Sequence, residues 1–459
     1  MITSSTPASP FRNHYTGIEF NLGFRVTKYD LDLNYRVLPN YLQAEATLHI
    51  ETNLAIKVLT LDFAHHLRVG KVTCSAAGAN PVRVQKYSHS ARKLRVYFDR
   101  VVQPDELLTL TVKYAGSPRP VKSPWGELGW EETESGSLVA SQPIGAASWF
   151  PCDDDPEVKA RYNFAITADN PYTVVCNGIL LGKHAHGSRT TWHYTAEHPM
   201  ATYLASVVTG EFEVWQLPGA RVPVYIYYPA KLRAGVKADF AQQAEMLATY
   251  EALFGEYPFS QYTVVVVEDE LEIPLEAQGL SIFGANHARG DGKWERLIAH
   301  ELSHQWFGNS VGLASWQDIW LNEGFACYAE WLWSERSGGP SADEKAWKHY
   351  NLLAEKPQDL LLADPGANDM FDDRVYKRGA MMVHALRILL GDEAFIRLLH
   401  QWTSENQHGV VDTVDMRSLV NRVCRDEGIA ASHADLLFTQ WLGRTELPPF
   451  PTKLTPCDS

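Results

Sequence analysis

The sequence predicts two domains. Residues 1–210 read as an all-β domain built from antiparallel sheets, and residues 211–459 as an α+β, mainly helical domain. Three observations carry this. The chain has 459 residues, beyond the roughly 250–300 at which one hydrophobic core stops growing. Its first part alternates apolar and polar residues with a period of two. Its second part changes to the spacing of helices.

The alternation is plain in Tyr29, Leu31, Leu33 and Tyr35 against Asp30, Asp32 and Asn34. It recurs in Ala44, Ala46, Leu48 and Ile50, and in Leu108, Leu110, Val112 and Tyr114. Such a pattern puts successive side chains on opposite faces of a half-buried strand. Turn signals at Pro39-Asn40 and Gly116-Ser117-Pro118 separate the runs. From Lys231 to Phe254, Val236, Phe240, Ala244, Leu247, Tyr250 and Phe254 paint one face of a single helix, with Gly255 as its cap. Tyr262 to Val267 and Leu280 to Phe283 read as short buried strands. Beyond Trp294 the chain reads as mostly helical, with breaks at Gly308-Asn309, Gly338-Gly339-Pro340 and Gly391.

Composition narrows the function. Hydrophobic residues make up 45% and charged residues 21% of the chain, as in ordinary globular proteins. A net charge of −14 repels phosphate backbones and argues against a nucleic-acid partner. Six cysteines without Cys-x-x-Cys spacing read as free thiols of a reducing compartment rather than a cysteine metal site. Residues Met1 to Asn13 contain no apolar run of the signal-peptide kind, and no stretch is apolar enough to span a membrane. The expected location is cytoplasmic, and the oligomeric state is left open.

The segment His300-Glu301-Leu302-Ser303-His304 holds the pattern His-Glu-x-x-His. On a helix, residues four apart share a face, so both imidazoles can address one ion. Catalytic zinc takes three protein ligands and keeps one position open. Asn322-Glu323-Gly324 supplies the third ligand, Glu323, from a second helix. Glu301 lies between the ligands and points elsewhere on the helix, which suits a general base. Glu330, two turns beyond Glu323, can orient a ligand histidine or serve a surface ion pair. The other histidines, His65 and His66 among them, lack ligand spacing and read as surface residues.

These residues resemble the aminopeptidase N family of gluzincins, to which leukotriene hydrolase belongs. The resemblance continues in Trp149-Phe150-Pro151-Cys152-Asp153, Lys159-Ala160, Asn177-Gly178 and Thr202-Tyr203-Leu204-Ala205-Ser206. It extends through Tyr376-Lys377-Arg378-Gly379 to Trp441-Leu442 and Leu447-Pro448-Pro449. It implies a saddle-like β domain on a thermolysin-like catalytic domain, one zinc per chain, and peptide substrates with a free N-terminal amine. It further implies that Tyr376 stabilises the oxyanion, that Glu276 binds the substrate amine, and that Gln142 lines the amine subsite. The family's Gly-x-Met-Glu-Asn strand reads Ile273-Pro274-Leu275-Glu276-Ala277 here, and Glu268, Glu270 and Glu272 are rival registers for the amine-binding acid. Pro274 has no N–H to offer a paired peptide. Family members usually continue into a helical domain that caps the cleft. The expected function is a zinc aminopeptidase, with an endopeptidase on the same zinc chemistry as first alternative and a non-catalytic scaffold as second.

Overall fold

A computed structural model describes residues 12–77, 81–90 and 92–452. Residues 1–11, on which most of the signal-peptide reading rests, and Cys457 lie outside them. The alternating segments form the strands they predict. These three and four further strands make one seven-stranded sheet, in the order 179–186, 189–201, 159–169, 24–36, 41–52, 107–116 and 68–76. In one respect this sheet differs from the expected antiparallel pattern. Strands Phe24–Arg36 and Lys159–Asp169 run parallel, with Tyr29 opposite Tyr162. A period of two reports which face is buried and is blind to strand direction. The direction here is set by the long excursion between the two strands, since parallel neighbours need a crossover rather than a hairpin.

A five-stranded sheet (121–123, 126–133, 136–140, 173–176 and 207–210) and a three-stranded one (56–62, 84–90 and 93–102) complete the N-terminal β-sheet domain. Its core is aromatic. Tyr29 stacks on Tyr162 at 4.9 Å and meets Phe150 edge-on at 5.3 Å, the arrangement ring quadrupoles favour.

The second domain opens with a mixed sheet in which the fully buried strand Tyr262–Val266 lies at the centre. One edge of that sheet is the short strand Leu275–Ala277, paired antiparallel to Leu280–Phe283. Around it stand helices α1 (Arg233–Asp239), α2 (Gln243–Phe254), α3 (Glu295–Ser303), α4 (Trp320–Arg336), α5 (Ala342–Ala354), α6 (Asp373–Leu390), α7 (Asp392–Glu405), α8 (Thr413–Asp426) and α9 (Ala431–Trp441).

The single helix expected over 231–254 is two. Phe240 closes α1, donating its N–H to the Val236 carbonyl and packing its ring on Phe283 at 5.1 Å. The Asp239 carboxylate leaves the helix path to accept the N–H groups of Gly290 and Gly292. The apolar spacing runs on through this break because both helices bury the same side, and spacing does not record a change of axis.

Helices α4 and α6 approach through two glycines. A Cβ on Gly379 would lie 2.7 Å from Cα of Gly324, and one on Gly324 would lie 2.8 Å from Cα of Gly379. Backbone meets backbone there, so neither side can yield by a rotamer change. Gly379→Ala gains about 0.8–1 kcal/mol of helix propensity, but overpacking costs about 1–3 kcal/mol. The expected outcome is net destabilisation in denaturant unfolding. A Gly379→Ala protein as stable as the parent would show that this contact does not set the helix approach.

Candidate functional site

The site is built on α3, whose Ile298, Ala299 and Leu302 are wholly buried and hold the helix in the core. Its polar residues therefore face an interior cleft. His300 Nδ1 bonds Glu330 Oε1 at 2.8 Å, and His304 Nδ1 bonds the Phe307 carbonyl at 2.9 Å. With each Nδ1 engaged, each Nε2 is left as the free ligand atom. Both Nε2 atoms lie 3.5 Å from Glu323 Oε2, which α4 brings in. The three ligand atoms lie within 4.8 Å of one another, and the three residues could hold a metal ion. Two ligands at 2.0–2.1 Å on a tetrahedral zinc stand about 3.4 Å apart, so the spacing fits that ion.

The electrostatics point the same way. Burial penalises the Glu323 carboxylate, yet His304 and His300 outweigh it and hold Glu323 down at about 2. Burial likewise opposes the His300 imidazolium, but Glu323 and Glu330 push it up to about 9. His304 rises to about 10 against burial, through Glu323 and Glu276. Protons here supply positive charge that the donor set demands, and a divalent cation supplies it better.

Glu301 is buried, its Oε2 has no hydrogen-bond partner, and burial followed by Glu276 raises it to about 8. The Tyr376 ring, on α6, lies parallel to that of His300 at 6.1 Å. Burial raises its hydroxyl well above 10, with Glu323 and Glu276 adding to the effect. Glu276 sits on the edge strand beside this group. Burial raises it, and the largest opposing pull is that of His304. The rival acids face elsewhere, Glu268 towards Lys231 at 3.1 Å and Glu270 towards Arg289 at 2.7 Å, while Glu272 is exposed. Gln142 makes no hydrogen bond to the other site residues among those described, and its buried Nε2 has no partner.

Two residues that matter to the site escape the sequence reading. Gln305 accepts the Gly279 N–H at 2.7 Å and donates to the Ala277 carbonyl at 3.2 Å. Asn309 donates to the same carbonyl at 3.0 Å. Together they moor the hairpin carrying Glu276 to the segment just after His304. Their one sequence signal is amide polarity amid Trp306, Phe307 and Val311. The surface reading of the other histidines also needs correction. His287 and His384 are wholly buried, His287 accepting the Gly284 N–H and His384 within 3.2 Å of the Tyr328 hydroxyl. An imidazole with a local partner is buried at little cost, whatever its spacing.

Comparison with known proteins agrees with this geometry. Residues 26–204 match the Peptidase M1 N-terminal domain, and residues 239–441 match the Peptidase family M1 domain. Human endoplasmic reticulum aminopeptidase 1 is 26% identical over 93% of this chain and 49% of its own length. Aminopeptidase B of Mus musculus is 27% identical over 86% of this chain and 63% of its own. The chain thus spans between about a third and a half of the first such relatives. A mutant M1 zinc metallopeptidase from Deinococcus radiodurans superposes with a TM-score of 0.83 at 30% identity, over 96% of this chain and 99% of that one. A mutant of the enzyme from that organism bound to a Tyr-Ser-Ala substrate superposes at 0.84, with 29% identity over 96% and 99%. With both domains matched and a zinc-type donor set between its helices, the chain belongs to peptidase family M1.

Proposed function

We propose that the chain is a zinc aminopeptidase that removes the N-terminal residue from peptides with a free amine. The observation that carries this is the placement of Glu276. Its strand is tied by Gln305 and Asn309 to the metal-bearing segment, so a carboxylate stands beside His304 and Glu323 without being a ligand. A mutant M1 zinc metallopeptidase of similar structure was solved bound to a Tyr-Ser-Ala substrate.

His300, His304 and Glu323 hold the zinc, with Glu330 orienting His300. The ion, when bound, polarises the scissile carbonyl and makes a water nucleophilic at neutral pH. Glu301 Oε2 takes the proton from that water and later delivers it to the leaving amine. The Tyr376 hydroxyl, kept protonated by burial, donates to the developing oxyanion. Glu276 accepts a charge-assisted hydrogen bond from the substrate ammonium, and Gln142 lines the same subsite. Residues 1–210 and 211–459 serve as the β and catalytic domains, a division supported by the change of sheet between strands 207–210 and 213–217.

Cytoplasmic location is part of the same reading. It is supported by the free state of Cys74, Cys152, Cys176, Cys327 and Cys424. Among the described residues no helix is long and apolar enough to cross a membrane. One observation favours the endopeptidase alternative. Pro274 has no N–H, so the segment leading to Glu276 offers a substrate's first residue one donor fewer, and Ile273 beside it is 68% exposed. A scaffold without activity is opposed by the unpartnered Glu301 Oε2, a costly group to bury for no purpose.

Three outcomes follow. The protein should bind one zinc, and Glu330→Gln should weaken zinc affinity by about 10–100-fold, measured by competition with a chelator. Unchanged affinity would remove Glu330 from the metal's support. Glu301→Gln should keep its zinc and lose about 10²–10⁴ in kcat, and near-normal turnover would sink the base assignment. Glu276→Ala should lower kcat/KM on free-amine peptides, and N-acetylation should do the same to the parent. The two losses should not add, because they break one contact. If acetylated peptides are cut internally as fast as free ones, the endopeptidase reading replaces the aminopeptidase one.

A further inference from the structure

The turn that follows α3 is held by a residue of the other domain. Lys159, on the strand 159–169, donates to the carbonyls of Asn309 and Ser310 at 3.0 and 2.8 Å. The backbone N–H groups of the same two residues close the end of α3. They donate to the carbonyls of His304 and Gln305 at 3.0 and 3.1 Å. The Asn309 side chain donates to the Ala277 carbonyl at 3.0 Å, next to Glu276. Asn309 therefore stands at a junction. Its N–H meets His304, its side chain meets the Glu276 strand, and its carbonyl meets Lys159.

Among the described residues Lys159 has no acidic partner, and burial alone lowers it to about 7. An amine placed this way costs desolvation and gains no ion pair. What it supplies is N–H donors for two carbonyls, and the ammonium and the neutral amine both have enough of them. Gly312 leaves the room it needs. A Cβ there would lie 2.7 Å from Lys159 Cε and 2.9 Å from its Nζ. The domain seam has other ties. Asn177 donates to the Gln278 carbonyl at 2.9 Å, and the Trp125 indole to the Ala367 carbonyl at 2.8 Å. Removing Lys159 thus leaves the domains joined and frees one turn.

Building on the aminopeptidase reading, we propose that Lys159 is a positioning residue for the amine subsite, setting the place of Glu276 relative to His304 through Asn309. A side chain of the N-terminal domain thereby governs how well the site holds a substrate's ammonium, without touching it. Without Lys159 two carbonyls at the seam lose their donor. The turn shifts to find others, and Ala277 and Glu276 move with it. The Nδ1 bonds of His300 and His304 involve neither Asn309 nor Ser310, so the metal donors keep their orientation.

The test measures kcat/KM for leucine p-nitroanilide and for its des-amino counterpart, in which hydrogen replaces the α-amine, on the zinc-loaded full chain. The ratio of the two reads the contribution of the amine. Lys159→Met keeps the length of the side chain and removes its donors. It should lower kcat/KM on the free-amine substrate by about 10–10²-fold, the cost of a small misplacement, and change the des-amino value less than about threefold. Gly312→Ala reaches the same end by a second route. The atoms nearest its methyl belong to the flexible end of Lys159, so the fold tolerates it while the amine is pushed off the carbonyls. It should lower the ratio too, and the double variant should be no worse than Lys159→Met, because both break one contact. Zinc affinity, measured by competition with a chelator, should match the parent's. A ratio unchanged in both variants overturns the proposal. So does an equal fall on both substrates or a loss of zinc affinity, either of which makes Lys159 a purely structural tie. A parent ratio near one overturns the aminopeptidase reading itself, and the role of Lys159 falls with it.

Discussion

Glu323 is a carboxylate buried between two imidazoles, and everything around it follows from the need to match that charge. Burying an unpaired ion costs several kcal/mol. The fold meets the cost by converging positive partners on Glu323 and anchoring the far nitrogen of each imidazole, one on Glu330 and one on the Phe307 carbonyl. The three donors come from two helices that pack side by side, and α4 in turn lies against α6 at the contact between Gly324 and Gly379. That contact brings Tyr376 over the same centre. The candidate metal site, Glu301 and Tyr376 thus come together through one helix arrangement.

The N-terminal domain contributes to the site without supplying a ligand. Lys159, on the strand 159–169, sends its ammonium across the domain seam to the carbonyls of Asn309 and Ser310 at 3.0 and 2.8 Å. Burial without a nearby carboxylate lowers its pKa to about 7. Gly312 makes room for it, since a Cβ there would lie 2.7 Å from Lys159 Cε. Asn177 does the same for the hairpin, donating to the Gln278 carbonyl at 2.9 Å. The segment after His304 and the turn beside Glu276 are therefore fixed from both domains. Small errors in their positions would be felt at the reacting atoms.

Some of this was legible in the residues and some was not. Two ligands within one helical turn are a local pattern, so His300 and His304 can be read directly, and Glu323 nearly so because Asn-Glu-Gly opens the next helix. The register of the proposed amine-binding acid could not be read. Glu268, Glu270, Glu272 and Glu276 are chemically alike and close in sequence, and what separates them is where Lys231 and Arg289 stand. The residues Gln305, Asn309 and Lys159 could be seen in the sequence but their work could not, because it consists of long-range bonds to backbone carbonyls.

By itself the sequence determined the two-domain class, the buried face of the alternating strands, and the three residues that could serve as metal donors. These depend on the periodicity of the backbone and the chemistry of side chains a turn apart, which are local properties. Only the tertiary structure decided that strands 24–36 and 159–169 run parallel, that the helix over 231–254 breaks at Phe240, and that Lys159 meets the segment after His304. Each of these is a relation between segments far apart in the chain. Their approach is governed by packing and by charge balance across the fold, which no single stretch of residues encodes.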